Sequence, residues 1–385
     1  MFPGFYIAKV SSALLPATQQ AKVTGGFAVS LDLNTAIAGA PYEAGAGTNR
    51  GAAYVHTRSG TTWTQQQKLT ASDTEDGDIF GVSVGIDGDT AIVGAPYEST
   101  GGTQSGAAYV FTRSGSTWTE QQKLVASDAS SFSEFGASVA ISGNTVIVGA
   151  YQDNGAGSSR GAAYVFTRSG STWTQQQKLA ASDPEDFAYF GWSVSIQNDD
   201  AVVGARLKGD GGSNRGAAYV FTRSGSTWTQ QQKLTASDTA DNDEFGISVS
   251  IDQNTVIVGA DRRLGFGVDN GAAYVFTRSG TTWTQEQKLV PSDLVNADSF
   301  GCAVAVQNNI AIIGAYLDTE NGSGAGSAYI FTRSGGTWTE FQKIFSSDIA
   351  PNDSFGFSVS LDSNTLLVGA SNENPLGATY VFVFG

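Results

Sequence analysis

Tryptophan stands at Trp63, Trp118, Trp173, Trp228, Trp283 and Trp338, each 55 residues after the last, and the 385-residue chain is seven such periods long. A fixed period of that length means one supersecondary unit used repeatedly, not two or three ordinary domains placed in series. The chain has 48 Gly but one Met, one Cys and one His, a composition poor in helix formers. Its 40% hydrophobic residues, with 7 Trp, 13 Tyr and 22 Phe, are enough to fill a core, so a disordered chain is excluded.

Each period carries four β-like runs. Between residues 80 and 134 they read FGVSVGID, GDTAIVGAPY, GAAYVFTRSG and STWTEQQKLVASD, followed by an acidic loop. The first two runs meet at Gly88-Asp89, with Gly143-Asn144 and Gln253-Asn254 at equivalent places, which suits a tight hairpin. The last two meet at Arg-Ser-Gly, where Gly60, Gly115 and their repeats supply a left-handed turn residue. Four short antiparallel strands cannot cover both of their own faces, so neighbouring units must, and seven units close a ring without exposed edges. The expected fold is all-β, a seven-bladed β-propeller forming a single domain over residues 1–385, with strands A to D running from the central channel outward. Residues Gly377 to Phe384 form a C strand with no D strand after it, and Phe5 to Leu15 precede the first A strand and sit where a D strand belongs. The last blade is therefore expected to combine residues 356–385 with about 1–20, so that the chain ends close the ring.

The doublets Phe80-Gly81, Phe135-Gly136, Phe190-Gly191, Phe245-Gly246, Phe300-Gly301 and Phe355-Gly356 are each followed by Gly-Ala, extended to Gly-Ala-Pro at Gly94-Ala95-Pro96. This pattern resembles FG-GAP repeats over the whole chain, a family that includes the integrin α-subunit propeller and many bacterial surface proteins. The resemblance implies an extracellular or cell-surface setting, a role in adhesion, and a ligand held on the face made by the B–C and D–A loops. The sequence departs from the family pattern at Gly25-Gly26, which replaces the first doublet. It also departs in its A–B turns: calcium-binding relatives use a long acidic loop there, whereas Asp87-Gly88-Asp89 and Gln307-Asn308-Asn309 are too short to wrap six or more oxygens around the ion.

Features needed by every blade read as scaffold. These are the Trp of strand D, the Tyr of strand C (Tyr54, Tyr109, Tyr164, Tyr219, Tyr274, Tyr329, Tyr380), the Arg of the C–D turn and the Lys of Gln-Lys-Leu. Acids are uneven, with 26 of the 36 in the D–A and B–C loops, which a four-stranded meander sends to one face. That face is expected to attract cations or basic partners. Asp73, Asp76 and Asp78, with Asp238, Asp241 and Asp243, are candidate calcium ligands, the alternative being turn capping by Asp73 and its repeats. The B–C loops vary most. Tyr42-Glu43 and Tyr97-Glu98, and likewise Tyr151 with Asp153 and Tyr316 with Asp318, set an aromatic ring beside a carboxylate, which suits a sugar. Arg206, Lys208, Arg262 and Arg263 interrupt the acids, as an anion site or as partners for neighbouring carboxylates.

The single histidine, His56, stands where other blades have Phe111, Phe166, Phe221, Phe276 and Phe331, and Cys302 stands where they have Val82, Ala137 or Trp192. Both read as packing positions, which leaves no Ser-His-Asp or His-metal chemistry. The net charge of −15 argues against nucleic acid, and no apolar run approaches the roughly 20 residues needed to cross a bilayer. Asn321-Gly322-Ser323 and Asn352-Asp353-Ser354 match the glycosylation triplet. The expected function is non-enzymatic, a lectin-like module binding a glycan or an extracellular protein through one acidic face. The alternatives are a spacer or assembly domain of an extracellular polymer and a carboxylate glycosidase.

Overall fold

The computed structural model describes residues 14–261, 271–293 and 298–385. Seven four-stranded antiparallel sheets stand around a central channel. Blade 2 shows the plan, with strand A at Ser83–Asp87, B at Thr90–Ala95, C at Ala107–Ser114 and D at Thr117–Leu124. The B strand, TAIVGA, is buried along its whole length, as expected where both faces meet another blade. The D strand alternates, burying Trp118 and Leu124 and leaving Thr117 and Thr119 exposed. Small residues on the A strands, such as Ser30, Gly85, Ala140 and Ser195, line the narrow axial channel.

The ring closes through the last blade. Phe355–Asp362, Thr365–Ala370 and Ala378–Phe384 are joined by Ala17–Thr24, which pairs with the C strand from Ala17↔Phe384 to Thr24↔Ala378. This corrects the strand assigned from sequence to Phe5 to Leu15. ATQQAKV copies the register of WTQQQKL in the other D strands, bulge included. Residues 1–13 lie outside the described residues.

The Phe-Gly and Gly-Ala doublets are the seam between blades. Phe80 is fully buried and meets Tyr109 and Phe111 edge-on, at 5.6 and 6.0 Å between ring centres. Gly81 is left-handed at φ 98°, and a Cβ there would stand 2.2 Å from the Ala52 carbonyl oxygen. A Cβ on Gly94 would stand 1.9 Å from the Gly136 oxygen of the next blade, so both glycines are required by backbone contact. The outer rim is joined by glutamine. Gln67 Nε2 donates to the Trp118 carbonyl at 2.7 Å while its Oε1 accepts from the Trp118 N–H at 2.8 Å, so one side chain replaces a strand edge. The same pair forms at Gln122 and Trp173, Gln177 and Trp228, Gln232 and Trp283, Gln287 and Trp338, and finally Gln342 and Ala17. At the far end of the channel each A–B turn is held by the blade before it, for example by Asp32 accepting from Gly88 N–H and Asp87 from Gly143 N–H.

Candidate ligand-binding face

The B–C and D–A loops emerge together, and their backbones are bonded to one another. Ile79 and Phe80 N–H donate to the carbonyls of Asn49 and Arg50, and Glu134 and Phe135 do the same to Gln104 and Ser105, at 3.0–3.2 Å. The residue before each Phe-Gly doublet is left-handed, at Ile79 (φ 50°), Glu134 (54°), Tyr189 (58°), Glu244 (54°), Ser299 (56°) and Ser354 (57°). Such backbone is costly for non-glycine residues and marks positions that the surrounding structure holds firmly.

The ring-and-carboxylate pairs anticipated in the B–C loops do not form. Glu43 turns into its own blade, taking the Tyr54 hydroxyl at 2.5 Å and the Lys68 ammonium. Glu98 is 6% exposed and bonded to Thr100 and Lys123, Asp153 to Tyr164 and Lys178, and Asp318 to Ser327, Tyr329 and Lys343. The basic residues meet acids: Lys208 replaces the usual carboxylate and reaches Glu185 at 2.6 Å, while Arg206 reaches Glu244 at 2.9 Å. Arg262 and Arg263 lie outside the described residues.

Nor do the six candidate calcium ligands converge. Asp73 binds across the seam to the Tyr109 hydroxyl and the Lys123 ammonium, both at 2.7 Å, and Asp238 does so to Tyr274 and Lys288. Burial pushes the Asp73 carboxyl up, but the Lys123 and Tyr109 bonds outweigh it and hold it below the ordinary value. Asp76 and Asp241 pair with Arg50 and Arg215. The turn caps are Asp78 and Asp243, which accept from Glu75 and Ala240 N–H; Asp73 and its repeats are cross-blade links instead. Asp89 of the A–B turn pairs with Arg113, and no group of three or more acidic, His or Cys residues among the described residues is arranged to hold a metal. These donors do not fit calcium.

A basin of about 290 Å³ does open at the axial mouth of the loop face. Its walls are the residues after the Phe-Gly positions, Phe27, Val82, Ala137, Trp192 and Phe357, with Tyr42, Tyr97 and Tyr151 from the B–C loops and Glu134 from a D–A loop. Tyr42 is 56% exposed and edge-on to Phe27 at 5.7 Å, and Tyr97 is 37% exposed. Tyr151 lies edge-on to Trp192 at 4.7 Å, and Tyr316 to Phe357 at 5.5 Å. Glu134 is 6% exposed and takes the Tyr151 hydroxyl at 2.5 Å and the Gln152 amide. Burial pushes its carboxyl above the usual range, against the lowering effect of those two bonds. Glu244, two blades on at the same register, instead carries Arg206, whose guanidinium lies 3.6 Å from the centre of Trp192.

Sequence reasoning found Tyr42, Tyr97 and Tyr151 but missed Trp192, Phe27, Phe357 and Glu134. A signal existed: the position after the doublet runs Phe27, Val82, Ala137, Trp192, Ile247, Cys302, Phe357, and the position before it Ile79, Glu134, Tyr189, Glu244, Ser299, Ser354, so size changes freely on both sides of an otherwise fixed motif. Cys302 and His56 are packing residues as expected. Cys302 Sγ lies 3.4 Å from the Gly356 oxygen, and burial raises its thiol. His56 is 2% exposed beside the closing strand, with Nε2 3.0 Å from the Thr24 oxygen.

The profile of the FG-GAP repeat family matches residues 63–111, 118–166, 173–221, 228–276, 283–331 and 338–382. Comparison with curated proteins gives no match. Among solved structures, Sqt1 of Saccharomyces cerevisiae superposes with a TM-score of 0.51 at 11% identity, covering 96% of this chain and 98% of that one. The N-terminal domain of Nup159 superposes with a TM-score of 0.51 at 10% identity, covering 97% and 96%. Likeness at that identity is one of fold alone.

Proposed function

Because the chain belongs to the FG-GAP repeat family, whose propeller fold is compatible with a binding or adhesion module, we propose that it is a non-enzymatic module that holds a glycan in the axial basin. The observation that carries this reading is the pairing of exposed rings with a buried carboxylate that has spare acceptor capacity. Tyr42 and Tyr97 offer open ring faces, and Glu134, bonded by two neutral donors, has lone pairs left for sugar hydroxyls. At about 290 Å³ the basin suits one terminal sugar unit, not an extended chain. Family propellers are generally non-catalytic, and glycosidase chemistry needs two carboxylates flanking one bond. Here Glu244 is committed to Arg206. An extracellular or cell-surface setting and a role in adhesion belong to the same proposal.

A glycan array read with the wild-type chain and with Tyr97→Ala tests it. Binding confined to a few terminal sugars and lost in Tyr97→Ala is expected, with no dependence on calcium. An array silent for the wild type removes the glycan reading and favours a spacer or assembly role.

A further inference from the structure

Glu134 and Glu244 hold the same seat two blades apart, each with left-handed backbone at φ 54°. At Glu244 the protein supplies its own cation: Arg206, from the B–C loop of blade 4, donates to the carboxylate at 2.9 Å and lays its guanidinium 3.6 Å from the centre of the Trp192 ring. Beside Glu134 the residue at the Arg206 register is Pro96, which carries no charge. Glu134 is 6% exposed, and its partners, the Tyr151 hydroxyl and the Gln152 amide, are both neutral. Among the described residues, the walls of the basin include no Lys or Arg. Burial, and after it the charge of Glu134, pushes the Tyr97 hydroxyl above its ordinary range, so the carboxylate is felt at an exposed ring. A buried carboxylate facing open rings thus lacks the third member of an arrangement that the same fold completes two blades on.

We propose that the sugar held in the basin is an amino sugar with a free ammonium group, which takes beside Glu134 and Tyr97 the place that the Arg206 guanidinium takes beside Glu244 and Trp192. The proposal rests on the glycan reading and narrows it. A ring face attracts an ammonium through its quadrupole, and the carboxylate accepts the ammonium's N–H donors in charge-assisted bonds. A neutral hydroxyl gains neither the charge nor the ring attraction. Tyr42, Tyr97 and Tyr151 come from successive B–C loops, so while Glu134 holds the ammonium a second ring is left for the apolar face of the sugar. An N-acetyl group removes the charge, and a sugar acid reverses it and meets Glu134 as a like charge. The net charge of −15 works in the same direction at longer range.

The test is calorimetric titration of the full chain at low salt with the methyl glycosides of glucosamine, galactosamine and mannosamine, with their N-acetyl forms and with the neutral parent hexoses. At least one amino sugar should bind about tenfold or more tightly than its N-acetyl and neutral counterparts, and the margin should shrink as salt rises. Glu134→Gln should erase that margin. Pro96→Arg, which rebuilds the Arg206 arrangement beside Glu134, should block the amino sugar. Neutral or N-acetylated sugars bound as tightly as the amino sugars would overturn this proposal and leave the glycan reading standing. So would an undiminished preference for the amine in Glu134→Gln, or wild-type affinity for the amino sugar in Pro96→Arg. Tetramethylammonium titrated in parallel separates the two failures: if it binds and none of the sugars does, the glycan reading falls and this proposal falls with it.

Discussion

At the outer circumference the same side chains meet at one seam after another. Asp128 takes Tyr164 and Lys178, Asp183 takes Tyr219 and Lys233, Asp348 takes Tyr380 and Lys22, and a glutamine clasps the backbone beside each pair. At the axial mouth of the loop face the blades contribute unequally. Phe27, Val82, Ala137, Trp192 and Phe357 share one register yet range in size from Ala to Trp, and Glu134 and Glu244 share another yet differ in partner. On the rim, polar groups satisfy one another and leave little for a ligand. In the basin, ring faces stay open and the buried Glu134 has no cation among its partners in the described residues. Repetition builds the ring, and departure from it supplies chemistry.

The sharpest way to break this contrast is to disturb the seam and look for an effect on binding. Phe245→Ala should cost about 3–5 kcal/mol, since the ring is fully buried and few neighbours can collapse into its space. Chemical denaturation would read this loss, and ligand affinity of the remaining folded chain should not move. Asp128→Ala should cost about 1 kcal/mol, a small figure because the carboxylate is half exposed and its pair is screened. Burial raises the Asp128 carboxyl, but Lys178 and Tyr164 hold it below the ordinary value. The stability it contributes is therefore present at neutral pH and is lost as pH falls below about 3.9. A pH series should show the wild-type advantage over Asp128→Ala vanishing in that window.

The closing seam sharpens the comparison from the other side. Between the last blade and the first, Gly25 replaces the seam phenylalanine, His56 replaces a second, and Ala21 stands where other D strands have the clasping glutamine. Trp63 there is 8% exposed, against 2–3% for the other five seam tryptophans. Ala21→Gln should restore the clasp on Trp63 and raise stability by about 1 kcal/mol. A melting curve unchanged or lowered by that substitution would show that the clasp contributes nothing.

The ring itself was legible because its parts recur: the doublets, the Trp and the Tyr from Tyr54 to Tyr329 each keep a 55-residue spacing. The closing strand was harder to place because Ala17 replaces the Trp and Ala21 the clasping Gln of WTQQQKL, leaving only Thr18, Gln19, Gln20 and Lys22 to mark it. The basin was legible only in part. Neighbours along the chain suggested Tyr97 with Glu98, but alternation and loop curvature send Glu98 toward Lys123 and leave Tyr97 facing Glu134 of the next loop. Convergence at an axis joins residues from different registers, which no spacing rule along one chain can reveal.

Calorimetric titration of an array-selected glycan into Glu134→Gln and Asp128→Ala tests the division of labour most directly. Loss of binding heat in Glu134→Gln, with unaltered affinity in Asp128→Ala, is the predicted result. Binding retained by Glu134→Gln and lost by Asp128→Ala would contradict it.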